Sequence, residues 1–239
     1  MTIAGNQPYF FPYFPYWQLI AAADVFVVSD DYAYIKAGWV NRNRILLNGK
    51  PHYFRLDVKH SGGPRLIKDK QIVPFDAGTK LRTLEMAYHS APYFAQGYQL
   101  TERILSYPGD DLLGILELSI NEICNYLGIQ TRLVKSSSFA GNASLRREER
   151  IFDFCRTLGA DRYINAIGGQ ALYSKEEFRR EGVELKFLQS TMPPYSQALR
   201  FRRRTTWGRE FVKDLSVLDA IMFNSKEALH DMLGAYRLI

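Results

Sequence analysis

The chain has 239 residues, of which 46% are hydrophobic and 23% charged, and its formal net charge is +6. That size and balance suit one folded domain, 1–239, with a sizeable interior, and the positive field favours phosphate-bearing partners without choosing one. No apolar run approaches the ~18–20 residues needed to span a bilayer and no secretory leader pattern opens the chain, so a cytoplasmic protein without membrane insertion is expected.

Thr2–Gly5 reads as a first strand. Tyr9–Trp17 follows with seven aromatics and two prolines. Pro8, Pro12 and Pro15 hold this stretch in an extended path, and its rings are expected to wall a site for a flat ligand. A helix is predicted over Phe14–Ala22, with Pro15 near its first turn where proline is tolerated. Val25–Ser29 is a continuous apolar run suited to a strand buried on both faces, and it ends in Asp30-Asp31. Asn48-Gly49 is a strong hairpin signal between Arg44–Leu47 and His52–Val58, with Lys50 and Pro51 expected to lengthen the loop. Helices are predicted over Lys80–His89, Tyr98–Ser106 and a segment N-capped by Asp110 and closed by Gly128. Thr131–Lys135 reads as a strand, Leu145–Leu158 as a helix and Arg162–Asn165 as a strand running into Gly168-Gly169. Ser174 and Glu177 form a capping box for a helix ending at Gly182, and Val183–Leu188 is a further strand. A last helical stretch starts near Ser216, with Asp219 as a second capping residue. Strands alternating with helices at both ends predict an α/β fold. The expected form is a Rossmann-like, mostly parallel sheet with a β-hairpin and a helical insertion.

In open sheets of this kind ligands gather at the carboxyl ends of strands, and that is where the unusual residues fall. Asp31 suits a general base, an amine anchor or, with Asp30, a Mg²⁺ ligand; a strand-terminal turn is the plain alternative. Lys36, five residues on, is close enough to pair with Asp31. Trp39-Val-Asn41-Arg42-Asn43-Arg44 alternates amides with guanidiniums, and a forked guanidinium suits phosphate or carboxylate. Gly168 would let backbone approach a phosphate. The dense basic run Arg200–Arg204 could steer a polyanion, or simply be solvated. Cys124 and Cys155 lie in apolar helical patterns and read as buried, reduced thiols. Four scattered histidines show no ligand spacing, so no zinc site is expected, and GxGxxG, P-loop and GxSxG patterns are absent. Ser61–Pro64 and Arg200–Gly208 are the segments expected to be least ordered.

The chain resembles the WbqC-like family, whose members open with I-x-Q-P-x-Y-F-P and continue through A-D-x-F-x-x-x-D-D and S-W-x-N-R-N-R-I. Ile3, Gln7-Pro8-Tyr9, Ala23-Asp24, Asp30-Asp31 and Trp39-Val-Asn41-Arg42-Asn43-Arg44-Ile45 carry the likeness here. Further matches are Leu84-Glu85 with Ala87-Tyr88, Ala91-Pro92-Tyr93-Phe94, Pro194-Tyr195 with Gln197, and Leu215-Ser216 with Leu218-Asp219. Tyr13, Pro15, Lys80 and Ala166 depart from the family's usual tryptophan, glycine, histidine and glycine. The opening also looks like that of nucleotidylyltransferases, but Phe14 and Trp17 stand where those enzymes carry histidines.

The resemblance implies a transferase that places an acyl or aminoacyl group on an amine, such as an amino sugar, in a glycan (O-antigen) or natural-product pathway. The expected partners are that small-molecule amine and an activated donor, with a carrier protein and aminoacyl-tRNA as its candidate carriers, and no DNA and no cofactor. Gln7 and Tyr9 would orient substrate, with Trp39 and Tyr195 beside it. Arg42, Asn41 and Asn43 would bind its acidic part, and Asp31 with Lys36 would carry the proton chemistry. Asp31→Asn is expected to stop turnover with the fold intact. The alternatives are a non-catalytic partner-binding protein engaging through Arg200–Arg204, and a Mg²⁺-dependent nucleotidyl or glycosyl transferase.

Overall fold

A computed structural model describes residues 1–59, 65–201, 204–206 and 210–239. The expected Ser61–Pro64 segment, residues 202–203 and 207–208, and the arginine side chains of 200–204 lie outside the described residues.

Six strands form the main sheet: β1 (Thr2–Asn6), β2 (Val25–Val28), β5 (Arg132–Lys135), β6 (Arg162–Ala166), β7 (Glu184–Ser190) and β10 (Tyr236–Leu238). Their spatial order is β10-β7-β6-β1-β2-β5, and every pairing is parallel except β7 with β10. The chain therefore builds outward from β1 through β2 to β5, then returns to the other side of β1 for β6 and β7. That reversal is the Rossmann order, and it puts the topological switch point between the carboxyl ends of β1 and β6.

Both faces are covered, which is why all four residues of β2 are buried. Ala4, Phe26, Val28, Ile164 and Leu188 face α1 (Phe14–Ala21), α4 (Leu112–Leu127) and α8 (Lys226–Leu233). Ile3, Val25, Val27, Tyr163, Leu185 and Phe187 face α5 (Glu148–Leu158) and α6 (Lys175–Arg180). The cysteines sit in these two cores, and burial pushes both thiols up to about 12, so they stay protonated.

The insertion between β2 and β5 holds the hairpin β3 (Arg42–Leu47) and β4 (Lys50–Arg55), then α2 (Ala77–Tyr88), α3 (Phe94–Leu105) and α4. Asn48 and Gly49 both have positive φ and alone make the two-residue turn, so the loop is not lengthened. Pro51 instead pairs with Leu46 inside β4, tolerable because each strand of a two-stranded sheet is an edge. Asp111, not Asp110, caps α4 by accepting the Gly114 N–H, and α2 starts earlier than its periodicity suggests because Asp76 accepts from Gly78 and Thr79. After β7, the short strands β8 (Leu199–Phe201) and β9 (Arg204–Thr206) pair antiparallel, and α7 (Val217–Phe223) leads into α8. Among the described residues no helix is long and apolar enough to cross a membrane.

Candidate functional site

A cleft of about 370 Å³ opens beside the end of β1, lined by Asn6, Tyr9, Pro12, Tyr13, Trp39, Asn43, Arg44 and Asp214. It unites three sequence-predicted residues, Tyr9, Trp39 and Asn43, with Arg44 of the Asn/Arg ladder, with Asn6, which was given no role of its own, and with Asp214, which the sequence did not single out. Burial raises the hydroxyl pKa of both Tyr9 and Tyr13, so both serve as neutral O–H groups.

The aromatic segment supplies less of this wall than its composition suggests. Phe10, Phe11, Phe14, Tyr16 and Trp17 are buried in the core; only Tyr9, Pro12 and Tyr13 reach the cleft. The Tyr16 hydroxyl donates to the Gln7 carbonyl at 3.0 Å, and Trp17 Nε1 to the Pro12 carbonyl at 3.1 Å. The rings thus pin the loop from beneath. Gln7 enters through its backbone, and its side chain is not part of the lining.

The amides are directional. The Gln7 N–H donates to Asn6 Oδ1 at 2.8 Å, and the Arg44 N–H to Asn43 Oδ1 at 2.8 Å. An N–H requires an acceptor, so each carboxamide keeps its Nδ2 donor for the cleft. Arg44 Nη2 donates to the Asp214 carbonyl at 3.1 Å, while its buried Nε has no partner among the described residues. Asp214 is the one carboxylate residue in the lining. Of the lining residues, Asp214 adopts positive φ, at 59°. Such backbone costs of order 1–3 kcal/mol at each residue and collects where a site has to be shaped.

Asp31 belongs elsewhere. Arg150 Nη2 donates to its two oxygens at 2.7 and 2.8 Å, and the Ser136 hydroxyl also donates to it. Arg150 Nε donates to Asn142 Oδ1 at 2.7 Å, and the guanidinium stacks 4.2 Å from the Tyr32 ring centroid. Asp30 accepts from the Ser137 N–H at 2.9 Å and its hydroxyl at 2.6 Å. This closed cluster ties β2 to the segment after β5. The expected Asp31–Lys36 pair is not formed: Lys36 is exposed, and the buried Arg150 is the partner because it has a preorganised fork.

The remaining predicted residues are spread out. Asn41 is structural, accepting from the Tyr34 hydroxyl at 3.0 Å and donating to the Leu56 carbonyl at 2.6 Å. Arg42 lies on the outer face of the hairpin, outside the cleft lining, bonded to the carbonyls of Gly38 and Ala37. Gly168 is exposed in a 3-10 turn, with open space where a Cβ would sit. Tyr195 lines a neighbouring cavity of about 240 Å³ that shares Tyr13 and Asp214 with the cleft.

Tyr195 also reveals a buried hub. Its hydroxyl and Gln197 Nε2 each donate to Asp219 Oδ2 at 2.7 Å, and the Tyr88 hydroxyl donates to Oδ1 at 2.9 Å. Desolvation raises Asp219 to about 6 despite these three donors. The expected helix-capping role falls to Ser216, whose hydroxyl accepts the Leu218 N–H. Tyr88, Tyr195, Gln197 and Asp219 come from three of the separated matches found in the sequence, and here they meet.

An uncharacterized protein of Mycobacterium tuberculosis, Rv1507c, is 29% identical over 179 residues, covering 74% of this chain and 77% of its own length. No solved structure matches significantly. A family model described as the WbqC-like protein family matches residues 7–231, nearly the whole of the fold and every cleft-lining residue but Asn6: the chain belongs to the WbqC-like family.

Proposed function

We propose that this chain is a transferase joining an activated acyl or aminoacyl donor to an amine acceptor, with the cleft at the end of β1 as the place where the acceptor sits. The carrying observation is polar asymmetry within one cavity: Arg44, Asn6 and Asn43 offer donors, and Asp214 alone offers a carboxylate. A ligand with an acidic group and an amine satisfies both sides. The guanidinium takes the carboxylate or phosphate; Asp214 holds the ammonium and takes its proton, and the freed amine attacks the acyl carbon as the donor's leaving group departs with its bonding electrons. Tyr9, Tyr13 and Trp39 cover the apolar part and exclude water, which strengthens each charged contact. The donor could be held on a carrier protein or on aminoacyl-tRNA, and amino sugars bearing an acid fit the acceptor class.

Calorimetric titration with amino acids, amino-sugar acids and their deaminated analogues tests this. Arg44→Ala should weaken every acidic ligand about 10- to 100-fold, the loss of one charge-assisted contact. Asp214→Asn should weaken only ligands carrying an amine. Equal binding of aminated and deaminated ligands by the parent chain would refute the assignment.

A further inference from the structure

The outer face of the hairpin carries an alternating stack, of which the cleft chemistry uses only Trp39 and Arg44. Arg42 and Arg44 lie on one face of β3, and the register places Tyr53 opposite Arg44 on the same face. The Arg42 guanidinium sits 4.6 Å from the Tyr53 ring centroid and 5.9 Å from that of Trp39, and Arg44 sits 5.5 Å from Trp39. The two rings are 6.5 Å apart and inclined at 36°. Trp39 and Tyr53 nonetheless remain 41% and 49% exposed, with Ile35 nearby in the chain at 60%.

This is a costly surface to leave in water, and it is held in place. Arg42 spends Nε and Nη2 on the carbonyls of Gly38 and Ala37, the latter in the left-handed region. Phe54, on the inner face, stacks on Phe10 at 5.8 Å and anchors the hairpin to the aromatic loop. Among the described residues, none takes a hydrogen bond from Nη1 of Arg42 or Arg44. Trp39 and Arg44 also line the cleft, so the stack is continuous with its mouth.

We propose that this stack is the docking site for a nucleotide: a base lies against the open faces of Trp39 and Tyr53, and its phosphate is taken by the free Nη1 groups of Arg42 and Arg44. Exposed rings alternating with guanidiniums match a planar base joined to an anion. A pantetheine arm is linear and has no face to stack, so the same surface gives it little. The inference rests on the transfer reading above and narrows its donor to one carrying a nucleotide.

Calorimetry with AMP, adenosine, ribose 5-phosphate and inorganic phosphate decides it. AMP should bind about 5- to 150-fold more tightly than ribose 5-phosphate, the usual worth of stacking one base. Tyr53→Ala, at an exposed strand position outside the cleft lining, should reduce AMP to the level of ribose 5-phosphate, and Arg42→Lys should weaken both phosphates. Equal binding of AMP and ribose 5-phosphate, no binding of either, or an unaltered AMP affinity in Tyr53→Ala would overturn the assignment. The acidic-amine titration run on the same protein separates the two ideas. AMP binding without amine binding sinks the transfer reading and leaves the stack standing, and the reverse result sinks the stack alone.

Discussion

Replacing Asp31 by asparagine separates a structural role from a catalytic one. The Asp31 and Arg150 side chains are 3% and 9% exposed, and both carboxylate oxygens accept from the same guanidinium nitrogen. Asparagine keeps the shape but removes the charge, so Arg150 is left buried without a counter-ion and with an N–H donor facing its hydrogens. Its one other bonded partner here, Asn142, is neutral, and the neighbouring Asp30 is already engaged by Ser136 and Ser137. Breaking a buried pair from one side typically costs about 3–5 kcal/mol. For a chain of this size each kcal/mol moves Tm by about 2–4 °C, so Asp31→Asn should melt roughly 6–20 °C below the parent. Arg150→Gln should fall in the same range. The double replacement Asp31→Asn, Arg150→Gln should cost clearly less than the two single losses added, because neither charge is then stranded. Lys36→Ala, at an exposed site, should stay within about 0.5 kcal/mol of the parent. Differential scanning calorimetry with circular dichroism reads all four. An Asp31→Asn protein melting within about 2 °C of the parent would refute the ion pair, since that shift corresponds to less than about 1 kcal/mol. Loss of activity at unchanged Tm would return Asp31 to the catalytic machinery.

The Asp219 hub makes a signed pH prediction. Its carboxyl pKa is raised in the fold, to about 6, so its contribution to stability is fully present below the unfolded value near 4 and is lost as pH rises through 6. The stability of the parent relative to Asp219→Asn, from urea melts, should therefore fall by up to about 3 kcal/mol between pH 4 and pH 7; a flat or rising difference would contradict it. Gly97 tests helix packing: a Cβ there would lie 2.7 Å from both Cε and Sδ of Met222. Gly97→Ala should lower Tm, because overpacking costs about 1–3 kcal/mol while helix propensity returns at most about 1. A higher Tm would show that Met222 moves aside at no cost.

Much of the fold could be read along the chain because its signals are local. The continuous run Val25–Val28 announced a strand covered on both faces, Asn48-Gly49 announced its turn, and Gly128, at φ 74°, closed α4 as its sequence position suggested. The candidate cleft lies beside the end of β1, where the general rule about strand ends looks for ligands. The turn geometry was underestimated, since Pro51 looked like a loop residue until its strand proved to be an edge.

The partners were not readable in the same way. Aromatic content drew attention to Tyr9–Trp17, yet whether a ring is core or wall depends on what packs over it, and most of these rings turned inward. Asp214 had no sequence signal: it sits in the loop before α7, and only the fold brings it to Arg44 and the cleft. Asp31 meets Arg150 across 119 positions, and Asp219 meets Tyr88 across 131. Periodicity and turn chemistry act over a few residues and so determine elements from the sequence alone. Charge pairing and burial act through space, and only the folded chain decides which carboxylate is locked away and which one lines a cleft.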